Sequence, residues 1–150
     1  MARRYALKIN WGKFLNTFGK FASPVVTIAV LILSLTPPKK GRVFFPHFDK
    51  VAHFIAYAAI AGSLFLAQVR YNKEVGFKTV LKKNRKPFLI SFFIATFIGI
   101  IVEFVQIRFN RACEFLDMVS DSLGALFGII VAIFVVTIVV SYDKQKGKNE

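Results

Sequence analysis

The chain has 150 residues, of which 55% are hydrophobic and 18 are phenylalanine, and its mean hydropathy is +0.55. This composition argues against a soluble globular domain, because four spans of about 20 residues each would occupy about 80 residues and leave no room for one. The net charge of +13 is typical of a membrane protein whose basic cytoplasmic loops contact anionic lipid, and we expect no nucleic-acid partner. The one cysteine, Cys113, excludes an intrachain disulfide and a cysteine-based zinc site.

The N-terminal segment 1–20 is basic and has helical periodicity. Five apolar residues lie within about one third of a helical wheel at ~100° per residue: Leu7, Trp11, Phe14, Leu15 and Phe18. Lys13, Asn16 and Lys20 lie on the other side. This pattern predicts an amphipathic helix on the inner membrane surface, with Trp11 at headgroup level. The alternative is a basic tail that only sets the topology.

Four apolar stretches predict four membrane-spanning helices. The first ends at Thr36-Pro37-Pro38, because proline cannot continue a helix, and we expect it to remain uncleaved. The predicted fold is an all-α integral membrane protein, a four-helix transmembrane bundle with an N-terminal amphipathic surface helix. We expect a single domain over 1–150, with spans at about 18–35, 51–69, 88–107 and 118–141 and a polar tail over 142–150.

The distribution of lysine and arginine predicts the orientation of the bundle. Fifteen of the 21 lie in the N-terminal segment, the loop between the second and third spans, and the C-terminal tail; the loops on the opposite side hold six. Cytoplasmic loops carry the excess of basic residues, so both termini are predicted to be cytoplasmic. The loops 36–50 and 108–117 are then predicted to face outward.

Polar residues collect at the predicted outer ends of spans two, three and four, where five of the eight acidic residues lie. Helical spacings of three or four residues place them on one face of each helix. We therefore expect a polar pocket open to the outside, with positive charge from Lys50 and Arg111. The residues predicted to converge are Asp49, His53 and Tyr57 on the second span, Glu103 and Gln106 on the third, and Asp117 and Asp121 on the fourth.

Each of these residues also has a structural explanation. Asp49 and Asp117 could each be present as a helix N-cap and not as a site residue. His53 could be present as an interhelical hydrogen-bonding residue. Glu103 and Asp121 lie about one turn inside their spans, where a charge costs ~2.5–3.5 kcal/mol on insertion scales. They are therefore expected to face the interior and to pair with Arg111 or Lys50. A purely structural ion-pair network remains the alternative to a functional pocket.

Two segments, DKVAHFIAYAAIAG over 49–62 and EFVQIRFNRACEFLDMVSDSLGALFG over 103–128, resemble the VanZ-like family of small bacterial membrane proteins. The family is named for a teicoplanin-resistance protein. The family pattern is roughly DK-x-x-H-x-x-x-Y, then E-x-x-Q, an Arg, and D-x-x-x-N-x-x-G-x-x-x-G. The matching positions are Asp49, Lys50, His53, Tyr57, Glu103, Gln106, Arg111, Asp117, Gly124 and Gly128.

The resemblance implies four helices in the bacterial inner membrane and a cell-envelope role, including lowered teicoplanin susceptibility for some members. It implies no particular reaction. The sequence departs from the pattern at Asp121, where the family often has Asn, and at Phe109-Asn110, where a Pro often precedes the Arg. The first departure adds a negative charge to the predicted pocket. Gly124 and Gly128 form a small-xxx-small pattern that predicts close helix packing within the bundle.

Three functions are compatible with these residues. The first is an enzyme acting on a lipid or lipid-linked envelope precursor, with Glu103, His53 and Asp121 as acid and base and with Arg111 and Lys50 holding a phosphate or carboxylate. The second is a non-catalytic scaffold or accessory subunit that binds membrane lipid, an envelope component or a membrane protein partner. A transporter is disfavoured by the lack of inverted repeats. We predict no cofactor, although the acidic residues and His53 are compatible with a divalent metal.

Overall fold

The computed structural model describes residues 11–36, 47–71, 76–109 and 114–146. All secondary structure in these ranges is helical, which confirms the predicted all-α class. The helices are α1 (Trp11–Leu35), α2 (Phe48–Gln68), α3 (Phe77–Lys83), α4 (Arg85–Gln106), followed by a 3-10 turn (Ile107–Phe109), and α5 (Phe115–Lys146).

Four of the described helices are long and apolar enough to cross a membrane: α1, α2, α4 with its 3-10 turn, and α5. They correspond to the four predicted spans. Their large apolar side chains point outward, as Phe93 and Phe97 of α4 do, each with 63% of its surface exposed. Apolar side chains on the outer surface of a helical bundle are favourable in lipid and unfavourable in water. The chain is therefore a membrane protein.

The helices extend beyond the apolar stretches from which they were predicted. The half of the predicted surface helix that is described, from Trp11 to Lys20, is continuous with the first span and not a separate element; residues 1–10 lie outside the described ranges. α5 continues to Lys146, several residues past the predicted end of its span. The short α3, within the basic loop, was not predicted.

The bundle has two ends of opposite charge. At the acidic end α1 and α4 finish and α2 and α5 begin; at the basic end α2 and α5 finish and α1, α3 and α4 begin. Five of the six acidic residues in the described ranges lie at the acidic end, and ten of the twelve lysines and arginines there lie toward the basic end. The structure therefore separates the charges as the sequence pattern predicted.

Glycines bring α2 and α5 into direct backbone contact. A Cβ atom added to Gly124 would collide with the Phe54 carbonyl, and one added to Gly128 would collide with the Ala58 carbonyl. Gly62 of α2 faces Gly128 in return. The Gly124-x-x-x-Gly128 pattern thus packs two helices of the same bundle, as predicted, and it sets how close the polar residues on α2 and α5 come.

Two asparagines, the half-buried Asn16 and the buried Asn84, hold the basic end together. Asn16 of α1 donates to the carbonyls of Ala67 (2.9 Å) and Leu66 (3.3 Å), which belong to the last turn of α2 and lack helical partners. The Oδ1 atom of Asn84 accepts from the Arg70 N–H (2.7 Å), and its Nδ2 donates to the Arg70 carbonyl (3.2 Å). These bonds fix the loop ends to the bundle far from the acidic residues.

The inward face of α4 carries a small or polar residue at every fourth position. Pro87, Ser91, Ala95, Gly99 and Glu103 are all buried on this face. Small residues allow close helix approach in a membrane, where large apolar side chains are equally well solvated by lipid. The repeat continues to Glu103, so its carboxylate points into the bundle and not toward lipid.

Candidate functional site

Two adjoining groups of polar side chains occupy the acidic end. The first, the histidine cluster, consists of His53 from α2, Glu103 from α4 and Asp121 from α5. The second, the lysine cluster, consists of Lys50 with the carboxylates around it. Each cluster joins side chains from separate segments of the chain, so both form only when the bundle is packed.

The histidine cluster is almost completely buried. The exposed fraction is 7% for His53, 0% for Glu103 and 1% for Asp121. The Nδ1 atom of His53 lies 2.9 Å from Oδ1 of Asp121, which is a hydrogen bond, and 3.9 Å from Oε1 of Glu103. The His53 ring therefore lies between two carboxylates and bonds directly to one of them.

Two oxygen atoms of this cluster have no hydrogen-bond partner among the residues that the structure describes. They are Oε1 of Glu103 and Oδ2 of Asp121, and both are inaccessible to solvent. The other oxygen of Glu103 accepts the backbone N–H of Glu114 at 3.2 Å. Buried polar atoms in native proteins are nearly always paired, so two orphaned oxygens in one cluster require an explanation.

Gly99 makes room for the Asp121 carboxylate. A Cβ atom at Gly99 would lie 2.5 Å from Oδ2 of Asp121 and 3.1 Å from its Cβ. No residue other than glycine fits at this position of α4 while Asp121 keeps its place. Gly99 belongs to none of the motifs in the sequence, although the fourth-position repeat of small residues on α4 indicates its inward orientation.

In the lysine cluster, unlike the histidine cluster, an ammonium group bonds to every carboxylate. The Lys50 ammonium donates to Glu114 (2.7 Å), Asp49 (3.0 Å) and Asp117 (3.3 Å). Asp117 is buried, whereas the Glu114 side chain is 46% exposed. An ammonium group has three N–H donors, and these three carboxylates take all of them. Lys50 thus has no donor left for an anionic ligand in this arrangement.

We predict that Lys50→Met lowers the thermal stability of the protein, because it leaves buried Asp117 without its cation. The measurement is thermal unfolding in detergent, with the exposed Lys78→Met at the basic end as the matched control. Adding Asp117→Asn to Lys50→Met is expected to recover part of the lost Tm. An unchanged Tm for Lys50→Met would show that the cluster does not need its lysine.

The structure brings most of the predicted residues to one end of the bundle. The Tyr57 ring stacks on His53 with centroids 6.3 Å apart and planes 9° apart, and its hydroxyl has no hydrogen-bond partner among the described side chains and backbone. Gln106 is buried but donates to the Ser34 carbonyl of α1 at 3.0 Å, so it ties α4 to α1. Arg111 lies outside the described residues.

Two local expectations need correction. Glu103 and Asp121 do not pair with Lys50, which is taken up by the carboxylates at the helix starts; their described partners are the Glu114 N–H and His53. Asp49 and Asp117 are not N-caps: His47 occupies that position in α2, and each aspartate lies in the first helical turn. A carboxylate there still interacts favourably with the positive end of the helix dipole.

Glu114 is one of the five acidic residues at the acidic end but is not one of the predicted site residues. It contributes through both its side chain, which accepts from Lys50, and its backbone N–H, which binds Glu103. Glu114 therefore links the lysine cluster to the histidine cluster. Its position immediately before α5 was the available signal.

A family model described as VanZ/LLP1 matches residues 4–137, nearly the whole chain. The chain belongs to the VanZ/LLP1 family. Comparison with curated proteins and with solved structures gave no significant match. Both clusters lie inside the region matched by the VanZ/LLP1 model, so they are part of the family domain and not an addition to it.

Proposed function

We propose that this VanZ/LLP1 protein binds a lipid or lipid-linked component of the cell envelope at the acidic end of its bundle, and that the histidine cluster acts on or recognises the polar part of that component. The observation that carries the proposal is the pair of orphaned carboxylate oxygens on Glu103 and Asp121. Family membership supports the membrane setting. Lowered susceptibility to teicoplanin is the expected cellular consequence.

The contrast between the two clusters supports a function for the first. In the lysine cluster, three carboxylates share one ammonium, as expected of a structural ion-pair network. In the histidine cluster two buried carboxylates share one imidazole, and one oxygen of each has no partner in the described part of the chain. A network retained only for stability would be expected to satisfy its own buried atoms, because leaving them unpaired costs about 1–3 kcal/mol each.

His53 and Asp121 also supply the parts of a general acid–base pair. A carboxylate hydrogen-bonded to one imidazole nitrogen orients the ring and stabilises its protonated form. The second candidate is a non-catalytic scaffold, which the fully paired lysine cluster favours. Neutral substitutions in the histidine cluster distinguish the two candidate functions. Acid–base chemistry predicts a folded protein without function, whereas a scaffold predicts a folded protein that keeps its function.

We further propose that the acidic end faces the outside of the inner membrane and that both termini are cytoplasmic, as the basic residues predict. We expect a cysteine at Lys82 of α3, introduced after Cys113→Ser, to resist an impermeant thiol reagent in intact cells. A cysteine at Arg108, exposed in the 3-10 turn of the acidic end, should react. The reverse result would put the site in the cytoplasm and contradict the orientation.

The proposed function is tested by expressing variants of the protein in a strain from which its chromosomal gene has been deleted. We expect His53→Gln to raise teicoplanin susceptibility to that of the deletion strain, because the imidazole is lost while the helix contacts remain. The matched control is His47→Asn, which changes the exposed histidine at the start of α2, where Asn tolerates the positive φ of 62°. A His53→Gln protein that reaches normal membrane levels and protects fully would contradict the proposal.

A further inference from the structure

We propose that His53, Glu103 and Asp121 form a binding site for a divalent cation of the Mn²⁺ or Zn²⁺ class. The inference uses the same cluster as the proposed function and rests on it in that respect, but cation binding can be measured without knowing the envelope component. Each of the three residues offers one ligand atom, and the three atoms lie within 4.8 Å of one another.

The spacing of the donor atoms fits a metal. Bonds of about 2.1 Å from a cation to nitrogen and oxygen ligands place adjacent ligand atoms about 3.0 to 3.4 Å apart. The Nδ1 atom of His53 lies 2.9 Å from Oδ1 of Asp121 and 3.9 Å from Oε1 of Glu103, on either side of that range. Small shifts of the Glu103 and Asp121 side chains would bring the His53 distances into that range, and the Glu103 and Asp121 ligand atoms already lie within 4.8 Å of each other.

The second observation is the unpaired, buried oxygen on each carboxylate. Glu103 is 0% exposed and Asp121 is 1% exposed, yet Oε1 of Glu103 and Oδ2 of Asp121 find no partner within ranges 11–36, 47–71, 76–109 and 114–146. When both carboxyl groups are ionised, two carboxylates against one imidazole give the described part of the cluster an excess of negative charge in the apolar bundle. A divalent cation would take up the Glu103 oxygen and balance that charge, which no group in the described part of the cluster does.

The lysine cluster provides an internal comparison. Its three carboxylates, Asp49, Glu114 and Asp117, also lie close enough to share an ion. There, however, the Lys50 ammonium already bonds to all three. The cation site is therefore assigned to the cluster that has no lysine.

The donor set selects the class of metal. Imidazole nitrogen suits Zn²⁺ and Fe²⁺, whereas carboxylate oxygen suits Mn²⁺, Mg²⁺ and Ca²⁺. One imidazole with two carboxylates fits Mn²⁺ or Zn²⁺ better than Mg²⁺ or Ca²⁺, which are bound mainly by oxygen. Three protein ligands leave coordination positions open for water or for an oxygen of a headgroup.

The test uses the full-length protein purified in detergent, treated with chelator and then supplied with Mn²⁺, Zn²⁺, Mg²⁺ or Ca²⁺ alone. We expect about one Mn²⁺ or Zn²⁺ per chain after gel filtration, measured by elemental analysis, and a Tm rise of about 5–10 °C at 100 times the Kd. Asp121→Asn and Glu103→Gln should lose both effects. The control Glu114→Gln, which changes an exposed carboxylate of the lysine cluster, should keep both.

Three results would overturn the site: an unmodified protein that retains neither metal and shows no Tm rise, metal retained equally by Asp121→Asn and Glu103→Gln, or metal lost only from Glu114→Gln. The first needs no variant, so the test holds even if a substituted chain fails to fold. Failure of the proposed function gives a different pattern, in which metal binds but His53→Gln still protects against teicoplanin. Failure of the metal site alone leaves His53→Gln inactive in a protein that binds no metal.

Discussion

Gly128→Leu is expected to force α2 and α5 apart and to destabilise the bundle. A Cβ atom at this position meets the Ala58 carbonyl, and backbone cannot move aside as a flexible side chain does. Inserting a large side chain into a packed core typically costs about 1–3 kcal/mol and occasionally more, and a backbone collision belongs at the upper end of that range. We expect a Tm loss of about 6–12 °C, measured by thermal unfolding in detergent.

The matched control is Ala59→Leu. Ala59 is next to Ala58 on α2 but is exposed toward lipid, so a larger side chain there meets no helix. Gly124→Leu, one turn earlier on α5, should behave like Gly128→Leu because its Cβ meets the Phe54 carbonyl. Equal Tm values for Gly128→Leu and Ala59→Leu would contradict the close α2–α5 packing and the placement of Asp121 that depends on it.

Glu103→Gln is expected to abolish function without destabilising the protein. The amide keeps the shape of the side chain and an oxygen that accepts the Glu114 N–H, but it removes a buried charge from an apolar span. Measured in chelator, unfolding stability should be unchanged or higher by about 1–3 kcal/mol. If the cluster catalyses a reaction, the loss in rate should be about 10²- to 10⁴-fold.

If Glu103 and His53 form a purely structural ion pair, Glu103→Gln is expected to lower the stability of the protein. Removing Glu103 would then destabilise the bundle by about 3–5 kcal/mol, and removing His53 as well would restore both stability and function. The informative experiment is therefore the set Glu103→Gln, His53→Gln and the double variant, compared for Tm and for teicoplanin protection. A stable double variant that protects fully would establish the structural role.

The sequence predicts the number and order of the spans because hydropathy records which residues contact lipid. It predicts the helix ends less well, since a helix continues past the lipid boundary wherever its backbone bonds can form. For this reason α1 begins as early as Trp11 and α5 continues to Lys146. α3 has seven residues, too few for a periodic pattern to be distinguished from a basic loop.

For the site, spacing predicts which residues share a helix face but not which side chains meet between helices. The contact between His53 and Asp121 joins residues 68 positions apart. Of the two predicted partners of Glu103 and Asp121, Lys50 is wrong, because it binds Glu114, just before α5, and the two aspartates beside it, whereas Arg111 lies outside the described residues. Gly99 acquires its role from a carboxylate on another helix.

The histidine cluster takes one residue from each of α2, α4 and α5, and this has a consequence for how the protein is made. Translation supplies His53 first, Glu103 next and Asp121 last, so α4 enters the membrane before the α5 residues that meet it exist. Glu103 lies one turn from the end of α4, at a depth from which its carboxylate can reach the headgroup layer in the meantime. A nascent chain that stops before residue 114 lacks Asp121 and the N–H that binds Glu103. Docking of the last helix is therefore the step at which membrane insertion is completed and the cluster first comes into being.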